Sequence, residues 1–171
     1  TETAPILAVR LQDAPVRGTV GPFLPDIQYK VINESGAEVG AGEKGTLWVK
    51  SEQIMLGYYK KPEETEKVLQ GGWLNTGDIC MVTVKGECRI LGRAKETIVL
   101  LGGENVEPVP IEETITRSEF IDQAMVVGQD QKFLGALIVP NEERIVEFAR
   151  QEGIEYFEQE ELLQHETVHE L

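Results

Sequence analysis

Between residues 16 and 91 the chain is written in short runs of apolar and polar residues, closed by glycine or proline, a pattern that restricts it to a sheet of short strands. Ile27, Tyr29 and Val31 alternate with Gln28 and Lys30 at the period of two that a half-buried strand requires. Glu34-Ser35-Gly36 reads as a turn into a second extended stretch, and Gly45 opens another at Thr46-Leu47-Trp48-Val49. Further strands are expected at 79–84 and 88–91, hinged on Lys85-Gly86. Frequent Gly and Pro between short strands imply a small barrel or curled sheet. One helix interrupts it. Pro62 suits a first helical position, Glu63 and Glu64 suit the positive end, and Val68-Leu69 supply an apolar side.

After Arg93 the pattern changes. A strand at 97–101 is expected to run into Gly102-Gly103, with a short helix beginning near Pro110 and carrying Glu112 and Glu113 at its positive end. Strands follow at 123–127 and 134–139. Asn141 then reads as the N-cap of a helix on which Ile145, Phe148 and Ala149 share a face, with Gly153 just beyond its end. This order is that of a compact α+β unit. The expected fold class is α+β, a β-rich, barrel-like part followed by a smaller α+β part, with the boundary at 93–95. From residue 155 onward the Glu-rich tail reads as helical and solvated. There is no internal repeat.

The 171 residues include 16 basic and 30 acidic side chains, a formal charge of −14. Such a surface repels phosphate backbones, so nucleic acid is excluded as an expected partner, whereas an anionic small ligand with its own metal ion is not. The hydrophobic fraction of 41% is enough to build a core. Cys80 and Cys88 form no Cys-x-x-Cys pair, which argues against a zinc ribbon or a disulfide framework and for free thiols in a reducing cytoplasm. No apolar run approaches the roughly 20 residues of a membrane-spanning helix. The start at Thr1, without Met and without a signal-peptide pattern, is expected to be a cut within a longer polypeptide.

The stretch Gly72-Trp73-Leu74-Asn75-Thr76-Gly77-Asp78, followed by Arg93-Ala94-Lys95-Glu96, holds the most chemistry. Thr-Gly-Asp can present a carboxylate from a strand end, and a carboxylate can accept from two neighbouring hydroxyls, as a ribose would require. Arg93 could join it or balance its charge. By chemistry alone the commoner readings are a turn aspartate and a surface ion pair. A second motif, His165-Glu166-Thr167-Val168-His169, matches the His-Glu-x-x-His of zinc peptidases and holds both histidines of the chain. It ends two residues before Leu171, leaving no room for a downstream third ligand, and Leu162, Leu163, Val168 and Leu171 fit the apolar side of a surface helix. The zinc-peptidase reading is therefore disfavoured.

Four segments in order resemble the adenylate-forming (AMP-binding) family of acyl-CoA synthetases, most closely the long-chain fatty acid–CoA ligases. Thr1-Glu2-Thr3-Ala4-Pro5 resembles the second half of a Tyr-Gly-x-Thr-Glu motif. Residues 45–65 resemble the family's Gly-Glu-Leu to Gly-Tyr segment. The third segment is 72–78, and the fourth, 91–112, resembles the crossover between a large and a small domain.

The resemblance implies that residues 1–92 are the β-rich end of the large AMP-binding domain, 93–95 a hinge, and 96–171 a small mobile C-terminal domain, incomplete at its end. It implies that Thr1 touches the α-phosphate of ATP and that Glu2 acts catalytically by holding Mg²⁺. Asp78 would bind the ribose hydroxyls with Arg93 beside it. Lys95 would be the hinge residue on which the small domain rotates after adenylation. Gly102 and Gly103 would let the pantetheine arm of CoA pass close to the backbone.

The implied partners are a fatty acid, ATP, CoA and the N-terminal large domain of the same polypeptide. The implied setting is cytoplasmic, with peripheral membrane association of the full enzyme left open. Thr46 stands where the family usually has Glu, no lysine follows Lys132, and no Pro-Thr-x-x-x-Lys segment carries the family's catalytic lysine. The chain alone is accordingly expected to be inactive. Two alternatives remain at this point: a non-catalytic binding or interaction module, and a ligase that passes the acyl group to a carrier-protein pantetheine.

Overall fold

The computed structural model describes residues 2–3, 6–10, 18–156 and 158–170. The chain divides into two compact units, Thr1–Thr97 and Ile98–Leu171. In the first, the strands are β1 (Gly21–Pro22), β2 (Gln28–Ile32), β3 (Glu38–Val39) and β4 (Lys44–Lys50), then helix α1 (Pro62–Val68), β5 (Leu69–Gln70), β6 (Trp73–Val82) and β7 (Glu87–Arg93). They pair antiparallel in the order β1-β7-β6-β4-β2-β3, with β5 on β6. This path does not return on itself, so among the described residues the sheet is open and not a closed barrel.

Alternation sets its inner face. On β4, Gly45, Leu47 and Val49 are buried while Lys44 and Lys50 are exposed, and Val31 on β2 pairs with Leu47. With Ile27, Leu74, Cys80, Val82 and Cys88 they make the core, and both cysteines are free and buried. Their neighbours Phe23 and Tyr29 stack at 4.2 Å between ring centroids. On the opposite face Lys30 Nζ lies over the rings of Trp48 and Trp73, 5.4 and 4.6 Å from their centroids, so the lysine's alkyl stem and charge cover aromatic surface.

Two irregularities shape β6. From Asn75 to Ile79 it takes four steps where β4, from Trp48 to Thr46, takes two. Residues 76–78 therefore stand out of the ladder with β4 as a bulge within a continuous strand. The sequence suggested a turn at a strand's end. The backbone instead resumes pairing with β4 at Ile79, Gly77 taking φ +72°, a left-handed conformation open to glycine at little cost. The second register shift, between Ile79 and Cys80 on the β7 side, keeps Cys80 in the core while Asp78 faces Arg93.

The second unit runs β8 (Ile98–Val99), β9 (Asn105–Val106), α2 (Pro108–Ile115), β10 (Ile121–Val127), β11 (Gly135–Pro140), α3 (Glu142–Glu152), α4 (Gln159–Leu163) and α5 (Glu166–His169). β8 pairs with β9, and β10 with β11. Helix α3 begins as its sequence implies, the Asn141 side chain accepting from the Arg144 amide at 3.0 Å, and ends at Gly153 in the left-handed region. Its inner residues Ile145 and Ala149 pack with Leu162 and Val168, flanked by Phe120 and Phe148, whose rings meet edge-on at 5.7 Å. The tail is therefore not uniformly solvated. Leu162 and Val168 bury against α3 because each short helix supplies one apolar residue at the turn that meets it. Among the described residues no helix is long and apolar enough to cross a membrane.

Candidate functional site

The β6 bulge is built by its own side chains. Asn75 Oδ1 accepts the Gly77 amide at 2.9 Å, and Thr76 Oγ1 accepts the Asp78 amide at 3.1 Å while donating to the Leu47 carbonyl at 3.1 Å. These bonds satisfy amides that the ladder has released. Arg93, paired in register with Asp78, reaches back across the bulge. Its Nη1 lies 2.9 Å from Asp78 Oδ1 and donates to the Thr76 carbonyl at 3.1 Å. The Ala94 amide donates to the Gly77 carbonyl at 2.8 Å and the Glu96 amide to the Arg93 carbonyl at 2.9 Å, so the segment leaving β7 is sewn to the same bulge. The Asp78 side chain is 28% exposed, against 58% for Arg93. A carboxylate so held retains capacity to accept further donors from a ligand.

Asp78 and Arg93 line an open cleft of about 620 Å³ together with Glu2, Tyr58, Thr76 and Lys95. Glu2 is held from the loop before α1: the Tyr58 hydroxyl donates to Glu2 Oε1 at 3.0 Å, and the Met55 amide donates to the Glu2 carbonyl at 2.9 Å. Burial raises the Tyr58 pKa above the usual phenol value, and the Glu2 hydrogen bond and charge add to the rise. Glu64, at the first turn of α1, is exposed, and its hydrogen bond to Lys67 lowers its pKa.

The cleft thus joins four residues singled out in the sequence: Glu2, Asp78, Arg93 and Lys95. Lys95 is exposed. Thr1 lies outside the described residues. Gly102 and Gly103 belong to the second unit, at the turn joining β8 to β9. The Leu100 amide donates to the Glu104 carbonyl there at 2.9 Å, and Gly103 has φ +84° with open space where a Cβ would stand. Sequence reasoning did not single out Tyr58 and Asn75 as site residues. Gly57-Tyr58 followed by Pro62 and Thr65 was the available signal for the first, and an Asn two residues before a bulge glycine for the second.

Among the described residues no three His, Cys, Asp or Glu side chains gather to cage a metal ion. A cation at Glu2 would need oxygens from a ligand to complete its shell, which is the way Mg²⁺ is commonly held beside nucleotide phosphates. At the disfavoured zinc motif, His165 Nδ1 accepts the Thr167 amide at 3.3 Å and caps α5, while the side chain of His169 lies outside the described residues.

An open sheet with an acidic bulge braced by arginine, beside a cleft that carries a second carboxylate, suits a ligand with vicinal hydroxyls and an anionic group. Residues 1–59 match the AMP-binding enzyme family and residues 95–162 match the AMP-binding enzyme C-terminal domain. The chain belongs to the AMP-binding enzyme family. Among its relatives is a long-chain-fatty-acid–[acyl-carrier-protein] ligase, chloroplastic, of Arabidopsis thaliana, 42% identical over 155 residues that span 84% of this chain and 21% of that protein. A long-chain-fatty-acid–CoA ligase of Haemophilus influenzae is 35% identical over 139 residues, 81% of this chain and 25% of that one. The crystal structure of an ATP-bound RpMatB–BxBclM chimera superposes with a TM-score of 0.74 at 32% identity, covering 84% of this chain and 29% of the other. The chain therefore spans about a quarter of the length of the proteins it matches.

Proposed function

We propose that the chain is the C-terminal part of a long-chain fatty acid–CoA ligase. In the complete enzyme a fatty carboxylate oxygen attacks the α-phosphorus of ATP, the bond to pyrophosphate breaks and an acyl-adenylate forms. The CoA thiol then loses its proton and attacks the acyl carbonyl, and AMP departs with the electrons of the acyl–oxygen bond. Asp78 accepts from both ribose hydroxyls, and Arg93 fixes the carboxylate that does so. Glu2 holds Mg²⁺, which when bound offsets charge on the phosphates. Thr1 contacts the α-phosphate.

Residues 1–92 end the large domain, Lys95 is the hinge within 93–95, and 96–171 form the mobile small domain. Gly102-Gly103 give the pantetheine arm close access to backbone. The exposed position of Lys95, in a turn that leaves β7 two residues before the division between the compact units, supports the hinge role. Two free buried thiols support a cytoplasmic setting.

The observation that carries the proposal is the Asp78–Arg93 pair on the β6 bulge, in the cleft that also holds Glu2. A second reading, in which a carrier-protein pantetheine replaces CoA, is favoured by the name of the relative at 42% identity. Incubating the full-length enzyme with a long-chain fatty acid, Mg·ATP and either CoA or a pantetheinylated carrier protein distinguishes them by mass spectrometry of the products. Acyl-CoA with AMP is expected. Acyl-carrier protein alone would establish the second reading, and ADP in place of AMP would defeat both.

A further inference from the structure

The loop between β4 and α1 is built to hold one side chain in place. Gly57 has φ +149° and lies so near Thr65 that an added Cβ would be 2.9 Å from its Cγ2, so only glycine lets the loop close on the helix. Thr65 Oγ1 then accepts the Tyr58 amide at 2.9 Å and donates to the Lys61 carbonyl at 2.8 Å. The Lys61 amide donates back to the Tyr58 carbonyl at 3.1 Å. Tyr58 is thereby fixed at its backbone, and its half-buried side chain runs to Glu2 Oε1 at 3.0 Å. The same loop takes the Glu2 carbonyl through the Met55 amide at 2.9 Å. The carboxylate is thus oriented from 56 residues away by a neutral donor.

We infer that Tyr58 is a positioning residue for the metal-nucleotide complex, acting through Glu2 by fixing the rotation of its carboxylate. This rests on the reading of Glu2 as the Mg²⁺ ligand. Removing a donor behind a ligating carboxylate typically costs about 10–100-fold in metal affinity, because the donor orients the ligand. Thr65 and Gly57 belong to the same device at one remove.

The test is Mn²⁺ binding, followed by electron paramagnetic resonance, to the full-length enzyme saturated with a non-hydrolysable ATP analogue. Tyr58→Phe keeps the ring and its packing and removes only the donor. It is expected to raise the Mn²⁺ dissociation constant roughly tenfold. Glu2→Gln is expected to raise it at least as far, and Tyr58→Phe in the Glu2→Gln background to add less than about twofold. Unchanged affinity in Tyr58→Phe, with Glu2→Gln still weakened, would overturn the inference and leave the role of Glu2 standing. Equal losses from Tyr58→Phe in both backgrounds would also overturn it, since Tyr58 would then act elsewhere. Unchanged affinity in Glu2→Gln would remove both the inference and the reading beneath it.

Discussion

Replacing Gly77 with alanine isolates what the β6 bulge contributes. A Cβ at this position would find Arg93 Nη1 at 4.0 Å, with no closer neighbour, so steric conflict is negligible. The backbone is different: φ is +72°, where an L-residue carries a strain of roughly 1–2 kcal/mol. That strain must appear either as lost stability, if the bulge holds, or as displacement of the Thr76 carbonyl and Asp78 carboxylate that Arg93 joins. Displacement by the full amount weakens ATP binding by about tenfold, since about 1.4 kcal/mol is a factor of ten. Asparagine tolerates the left-handed region better than alanine, so Gly77→Asn should lose less despite its larger side chain. Calorimetric ATP binding to the full-length enzyme, with denaturant unfolding of the same variants, measures both terms. Wild-type stability and ATP affinity in Gly77→Ala, or a larger loss in Gly77→Asn, would refute the reasoning.

Three other outcomes follow from the same contacts. Arg93→Ala removes a pair whose arginine is 58% exposed, so stability should fall by less than about 1 kcal/mol while the KM for ATP rises, a split visible by comparing unfolding with steady-state kinetics. Cys80 and Cys88 are buried, and although their mutual contact pushes the Cys80 thiol up and the Cys88 thiol down, burial should keep both from reacting with a thiol-specific dye at neutral pH until the sheet unfolds. Leu162→Ala should destabilise the second unit by about 2–5 kcal/mol in denaturant titration, the cost of truncating a packed leucine, whereas a solvated tail would show almost none.

Local signals carried much of the architecture. The alternation around β2 and β4, Pro62 at the start of α1, and Asn141 and Gly153 at the ends of α3 are each set by neighbours within a turn or a strand, and each was readable. What could not be read depends on partners distant in sequence. The bulge at 76–78 exists only relative to β4, where two steps oppose four, and no single strand's periodicity reveals that. Tyr58 became a site residue through Glu2, which no spacing rule connects to it. Leu162 and Val168 were legible as an apolar side, but nothing local to them names α3 as the helix they pack on. Asp78 and Arg93 were legible because strand pairing places them opposite each other, and the motif around them carried the family resemblance.

In the function proposed above, the Asp78 cleft serves the activation of a fatty acid by ATP. Exchange of labelled pyrophosphate into ATP by the full-length enzyme, with and without a long-chain fatty acid and repeated for Asp78→Ala, tests it most directly. The exchange is expected to require the acid and to weaken in the variant mainly through a higher KM for ATP. Exchange that ignores the acid, its absence with every carboxylic acid tried, or an Asp78→Ala enzyme with an unchanged KM would contradict it.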